Sequence, residues 1–143
     1  MKKKLIIVSG YFNPLHKGHI EYFHFAKKLG DYLMVIVNND IQRQIKGSKE
    51  FMLEDERSLI IGELKVVDYV MTSIDKDKTV VNSIRQVYNN YSTSHDIYFA
   101  NGGDQSNKSI PEALICEKLD IKLIDGLGRK IQSSSWLLNN DEN

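Results

Sequence analysis

The sequence predicts an α/β fold: one Rossmann-like open parallel sheet of about five strands flanked by helices. Short apolar runs, such as Leu5–Val8, Tyr32–Val37 and Ile97–Ala100, recur at intervals along the chain. They are too short for helices and too uniformly apolar for half-exposed strands, so they read as strands buried on both faces. Between them lie stretches with apolar residues at helical period. Strand–helix–strand alternation of this kind builds right-handed parallel βαβ units. The stretches richest in Gly, Asn, His and Ser are Gly10–His19, Asn101–Asp104 and Gly126–Ser135. Each follows a predicted strand, at the end where such sheets bind ligands.

The elements follow in order. Leu5–Val8 is the first strand and ends in a turn at Ser9-Gly10. Asn13-Pro14 reads as a helix start, because proline is tolerated in a first helical turn. The helix continues through an apolar stripe of Ile20, Phe23, Ala26 and Leu29, with Gly30 as terminator. Tyr32–Val37 is the second strand, and Ile41–Ile45 a short helix. Lys46–Glu50 has no periodicity and reads as a mobile loop carrying two lysines. Leu53–Arg57 opens a helix with acidic residues where the dipole favours them, its buried side formed by Leu59, Ile60, Leu64 and Val67. Asp68–Met71 is a third strand, Thr79–Tyr88 a helix and Asn89–His95 a polar loop. Ile97–Ala100, the helix Pro111–Leu119 and the strand Ile121–Ile124 complete the sheet. Ser133–Ser135, with hydroxyls suited to capping, leads into a last short helix at Trp136–Leu138.

A chain of 143 residues is one domain of ordinary size, taken as 1–143. Nineteen basic residues balance nineteen acidic ones, so no global field draws in nucleic acid or an anionic membrane. The lone cysteine, Cys116, excludes an internal disulfide framework and reads as a small core hydrophobe. No apolar run approaches membrane-spanning length, and Lys2–Lys4 leads straight into a strand without the apolar region of a signal peptide. A cytoplasmic protein is expected. Self-association as a homodimer stays open.

Gly10-Tyr11-Phe12-Asn13-Pro14-Leu15-His16-Lys17-Gly18-His19 is the stretch around which the chain is organised. On a helix, His16 and His19 share one face near the N-terminus, where backbone N–H groups and the dipole favour an anion. Gly18 between them leaves space for close approach. The same spacing would suit two metal ligands, but no neighbouring Cys/His cluster supplies a third. Nor does any nucleophile–base–orienter set stand out, so the residues suit transfer chemistry that works by positioning and charge neutralisation.

This stretch resembles the opening G-x-F-[DN]-x-x-H-x-G-H of the H-x-G-H nucleotidyltransferase superfamily, in particular its cytidylyltransferase-like and sugar-phosphate adenylyltransferase-like members. The resemblance covers nearly the whole chain. It implies transfer of CMP or AMP from CTP or ATP to a small phosphorylated metabolite, a sugar or polyol phosphate, with release of pyrophosphate and no covalent enzyme intermediate. It implies His16, His19 and Lys46 as catalytic residues. Gly10, Tyr11, Phe12, Asn13 and Gly18 would line the nucleotide site. Gly102 and Asp104 would lie toward the substrate and base. Arg129-Lys130-Ile131-Gln132-Ser133-Ser134-Ser135 resembles the second signature, R-T-x-G-I-S-T-[ST], which gives Arg129, Ser133 and Ser134 as triphosphate contacts. It departs from that signature at Gln132, where an apolar residue is usual. Mg²⁺ would arrive with the triphosphate, since it commonly keeps waters and takes few protein ligands. A non-catalytic nucleotide-binding regulatory or assembly module on the same fold is the competing expectation, because a fold and a pocket do not by themselves establish turnover.

Overall fold

The computed structural model describes residues 2–100 and 111–124. Five strands, β1 (Lys3–Gly10), β2 (Tyr32–Val37), β3 (Tyr69–Thr72), β4 (His95–Ala100) and β5 (Lys122–Ile124), form one sheet in the order β3-β2-β1-β4-β5. All its pairings are parallel. Five helices connect them: α1 (Lys17–Lys27), α2 (Asp40–Lys46), α3 (Glu54–Gly62), α4 (Val81–Tyr91) and α5 (Glu112–Lys118). The strand order reverses between β1 and β4, so the crevice expected for a ligand opens beyond Gly10 and Ala100.

The apolar runs are continuous because both faces of the sheet are covered. On β1, Leu5 and Ile7 point into a core shared with Ile84 and Val87 of α4 and with Ile115 and Cys116 of α5. Ile6 and Val8 point the other way, against Phe23 and Ala26 of α1 and Ile61 of α3. All four β1 side chains are fully buried, each stabilising the fold by about 1.5–3 kcal/mol relative to exposure. Cys116 is a core residue as expected, and burial, with Glu112 nearby, pushes its thiol up to about 12.

Several expectations are corrected. The first helix begins at Lys17 rather than at Asn13-Pro14, whose peptide bond is cis and lies in a turn. Asn13 is committed elsewhere, its side chain bonded to the backbone of residues 49, 51 and 52. Leu29 is 41% exposed, because α1 has ended and only Phe23 and Ala26 of its stripe are buried. Gly30 is needed for space: a Cβ there would stand 2.8 Å from Ile6 and 3.0 Å from the Lys4 carbonyl. In α3, Leu59 and Ile60 face outward, and the buried positions are Arg57 and Ile61, one turn apart. Asn89–Tyr91 is the last turn of α4, not loop; Tyr91 packs against the core and Tyr69. The Trp136–Leu138 helix expected from the sequence lies outside the described residues. No described helix is long and apolar enough to cross a membrane.

Candidate functional site

Beyond β1 the chain turns sharply. Phe12 sits at φ 52°, a left-handed conformation costly for a bulky residue, and is nevertheless buried. Its ring meets His19 edge-on at 4.9 Å and Phe23 at 5.3 Å, so burial and ring contacts offset the backbone cost. Gly10 makes this turn possible, because a Cβ there would stand 2.7 Å from the Phe12 ring. Phe12 is thus a support beneath His19.

The two histidines build the start of α1. His16 is the N-cap in extended conformation, and its Nδ1 accepts from the Gly18 N–H at 3.1 Å. His19, at the third helical position, returns the bond: its Nδ1 accepts from the His16 N–H at 3.1 Å. This is a capping box made of imidazoles, a form in which two otherwise orphan donors are satisfied reciprocally. The rings stack with centroids 3.8 Å apart. An Nδ1 that accepts a hydrogen bond carries no proton, so each neutral ring bears its proton on Nε2. Burial, and secondarily the neighbouring His16, lowers His19 to about 4, so it is neutral near pH 7. Gly18 serves the box, since a Cβ there would stand 3.0 Å from the His16 ring. The Gly18 N–H is itself used within the box.

His16 and His19 line a cleft of about 600 Å³ together with Gly10, Tyr11, Asn13 and Lys46. Ser48, Lys49 and Phe51 form its other wall. Lys46, the last residue of α2, holds its ammonium 4.3 Å from the centre of the Tyr11 ring. The loop after it is tied to the turn beyond β1 by polar bonds: Asn13 accepts from the Phe51 and Met52 N–H groups at 3.0 and 3.1 Å. The Asn13 amide also donates to the Lys49 carbonyl at 2.7 Å. Gly47, at φ 83°, supplies the left-handed cap that ends α2 and starts the loop.

One residue central to this corner went unassigned in the sequence. Arg57 is fully buried, and its guanidinium donates to the carbonyls of Met52, Tyr11 and Asn38 and to the Asp40 carboxylate. It thereby ties the end of β1, the start of α2 and the lysine loop to α3. The available signal was a cation in the first turns of a helix, where the dipole disfavours it, after three acids. Gly102, Asp104, Arg129, Ser133 and Ser134 lie outside the described residues. Among the described residues no group of three or more His, Cys, Asp or Glu could hold a metal ion, and none of those lining the cleft is a carboxylate.

Fold and cleft define a Rossmann-like α/β domain with a histidine- and lysine-lined crevice at its switch point. Residues 7–135 match the family described as cytidylyltransferase-like, and the chain belongs to that family of nucleotidyltransferases. Among curated proteins it is similar to the bifunctional protein HldE of Wolinella succinogenes, 29% identical over 92% of this chain and 28% of that protein. It is also similar to the FAD synthase of Picrophilus torridus, 39% identical over 52% of this chain and 55% of that protein. The chain therefore spans about a quarter of the first relative and about half of the second. Among solved structures, the lipopolysaccharide core biosynthesis protein from Thermoplasma volcanium aligns with a TM-score of 0.66 at 28% identity, over 85% of this chain and 94% of that one. A bifunctional NMN adenylyltransferase/ADP ribose pyrophosphatase from Francisella tularensis shares the fold, with a TM-score of 0.62 at 15% identity over 93% of this chain and 42% of that one.

Proposed function

We propose that this chain transfers a nucleotidyl group, CMP or AMP, from CTP or ATP to a small phosphorylated metabolite such as a sugar or polyol phosphate. The observation that carries the reading is the imidazole capping box. With both Nδ1 atoms occupied by backbone N–H groups, each ring has its Nε2–H left for a ligand in the cleft. These are two fixed donors in a cleft that two lysines also line, an arrangement suited to polyphosphate oxygens.

In the reaction, a phosphate oxygen of the metabolite attacks the α-phosphorus. The bond from that phosphorus to the α–β bridging oxygen breaks, and its electron pair leaves with pyrophosphate. His16 and His19 stabilise the charge that builds on the bridging and leaving oxygens. Lys46, with Lys49 beside it, neutralises the transferring phosphate and the incoming one. Fixed donors aimed at charge that grows in the transition state lower the barrier without reorganising. No carboxylate faces the cleft among the described residues, so Mg²⁺ would be held chiefly by the phosphates that bring it and would add charge neutralisation. The similarity to a FAD synthase, together with membership of the cytidylyltransferase-like family, supports nucleotidyl transfer.

The test is pyrophosphate release by the full chain on a panel of phosphorylated sugars and polyols, run with ATP and CTP separately. Release with one nucleotide and one acceptor class is expected. Nucleotide binding without release across the panel would replace this reading with a non-catalytic binding module.

A further inference from the structure

We propose that Tyr11 and Asn13 are positioning residues that preset the lysine loop over the histidine pair before any nucleotide arrives, Tyr11 by holding the Lys46 ammonium on its ring and Asn13 by bolting the backbone of residues 49–52. The proposal rests on the function proposed above and reassigns two residues that the family resemblance places among nucleotide contacts.

Three observations converge. An exposed lysine at the end of a helix is ordinarily solvated and mobile. Here the ammonium lies 4.3 Å from the Tyr11 ring centre, whereas the other four lysine–ring approaches among the described residues are at 5.8–5.9 Å, near the outer limit of a useful cation–π contact. Burial raises the Tyr11 hydroxyl above its ordinary value, so the ring remains a neutral phenol and the attraction belongs to its face.

The second observation is the economy of Asn13. Its oxygen takes two loop N–H groups and its nitrogen gives to a loop carbonyl. Only an amide can do both: a carboxylate would keep the two acceptor bonds and set an oxygen against the Lys49 carbonyl. The third is a brace from beneath. Arg43 donates to the Ser48 carbonyl at 2.7 Å and reaches Glu50 at 3.4 Å. Tyr11 and Asn13 belong to the same turn that supports His16 and His19. The lysines are therefore registered to the histidines by two residues of one turn, and less loop freedom remains to be lost on binding.

Two measurements on the full chain test this. In protein carrying ¹³Cε-lysine, the Lys46 resonance, assigned by its loss in Lys46→Met, should be displaced by the ring current. Tyr11→Phe should keep the displacement and Tyr11→Leu abolish it. Asn13→Asp should move it toward the free-lysine position with the tyrosine intact. A Lys46 resonance at the free-lysine position in the unaltered chain would overturn the proposal, and one unmoved in Asn13→Asp would remove Asn13 from it.

The second measurement is calorimetric titration with MgATP and MgCTP. Tyr11→Leu should weaken binding by about three- to tenfold, the scale of one cation–π contact. In a Lys46→Met background the same substitution should have almost no further effect. Additive losses would mean that Tyr11 meets the nucleotide directly, or acts on the fold generally, and would overturn the positioning role. If the unaltered chain bound neither nucleotide, the function proposed above would fail, and the latch would then be decided by the lysine resonance.

Discussion

At the scale of single residues, His16 and His19 each do two things that an alanine substitution would confound. Each belongs to the capping box of α1, and removing such a cap costs about 1 kcal/mol; on the proposed function each also gives an Nε2–H to the bound nucleotide. The two roles can be separated chemically. Asn is among the best N-caps, and Gln at the third helical position can complete a capping box, while neither carries an imidazole. His16→Asn and His19→Gln should therefore keep the melting temperature within a few degrees and lower kcat about a hundredfold with little change in KM, the scale of losing one transition-state donor. Loss of stability with unchanged turnover per folded molecule would remove the catalytic assignment. His19 also gives a pH signature. Its folded value, about 4, lies below its ordinary 6.5, so between those values the unfolded chain binds more protons. The stability it contributes is fully present above pH 6.5 and is lost as the pH falls toward 4. The box argues in the same direction, since a proton on Nδ1 would break the bond from the His16 N–H. Denaturant midpoints measured from pH 7 to pH 4 should fall less in His19→Gln than in the unaltered chain.

At the scale of elements, the site corner depends on Arg57 more than on any apolar contact. Arg57→Met keeps the bulk but removes the guanidinium donor from three carbonyls and from the Asp40 carboxylate, which then keeps only the hydrogen bond from the Glu54 N–H among the described residues. Breaking a buried pair on one side costs about 3–5 kcal/mol; with the Asp40 side chain 23% exposed, urea unfolding should show a loss toward the lower end of that scale or somewhat below it, and a loss below about 1 kcal/mol would refute the hub. Arg57 also shows what the sequence could and could not convey. Strands were legible because continuous burial leaves a compositional trace: Tyr32–Val37 was bounded correctly, and the other strands to within a few residues. Helix faces were less so, since Ile60 and Ile61 are both apolar and only the packing against β2 and β3 decides which turns inward. His16, His19 and Lys46 line one cleft, a grouping that rests on the strand–turn–helix order around the histidines. Their joint capping box was not foreseen, because spacing suggests that two side chains share a face and says nothing of which nitrogen meets which backbone group. The Arg57 hub joins residues 11, 38, 40, 52 and 57, and partnerships at that separation leave no local pattern to read.

At the scale of the whole molecule, the cleft is built on the best-protected strand. β1 is paired on both sides, to β2 and β4, and its four apolar side chains are fully buried. β3 and β5 are the edges of the described sheet. Amides at the centre of β1 should therefore exchange with solvent only through global unfolding, and those at the edges through smaller openings as well. A nucleotide that binds only the folded chain raises the global unfolding free energy by RT ln(1 + [L]/Kd), about 2.7 kcal/mol at a hundred times Kd. Under those conditions exchange in β1 should slow about a hundredfold. Amides of β5 should slow less, if they open without disturbing the turn that carries His16 and His19. The comparison needs one nucleotide titration followed by hydrogen exchange and mass analysis of peptides covering Leu5–Val8 and Lys122–Ile124. Equal slowing in both peptides would mean that the described sheet opens as one unit. Faster exchange in β1 than in β5 without ligand would contradict the placement of the site on the most stable strand.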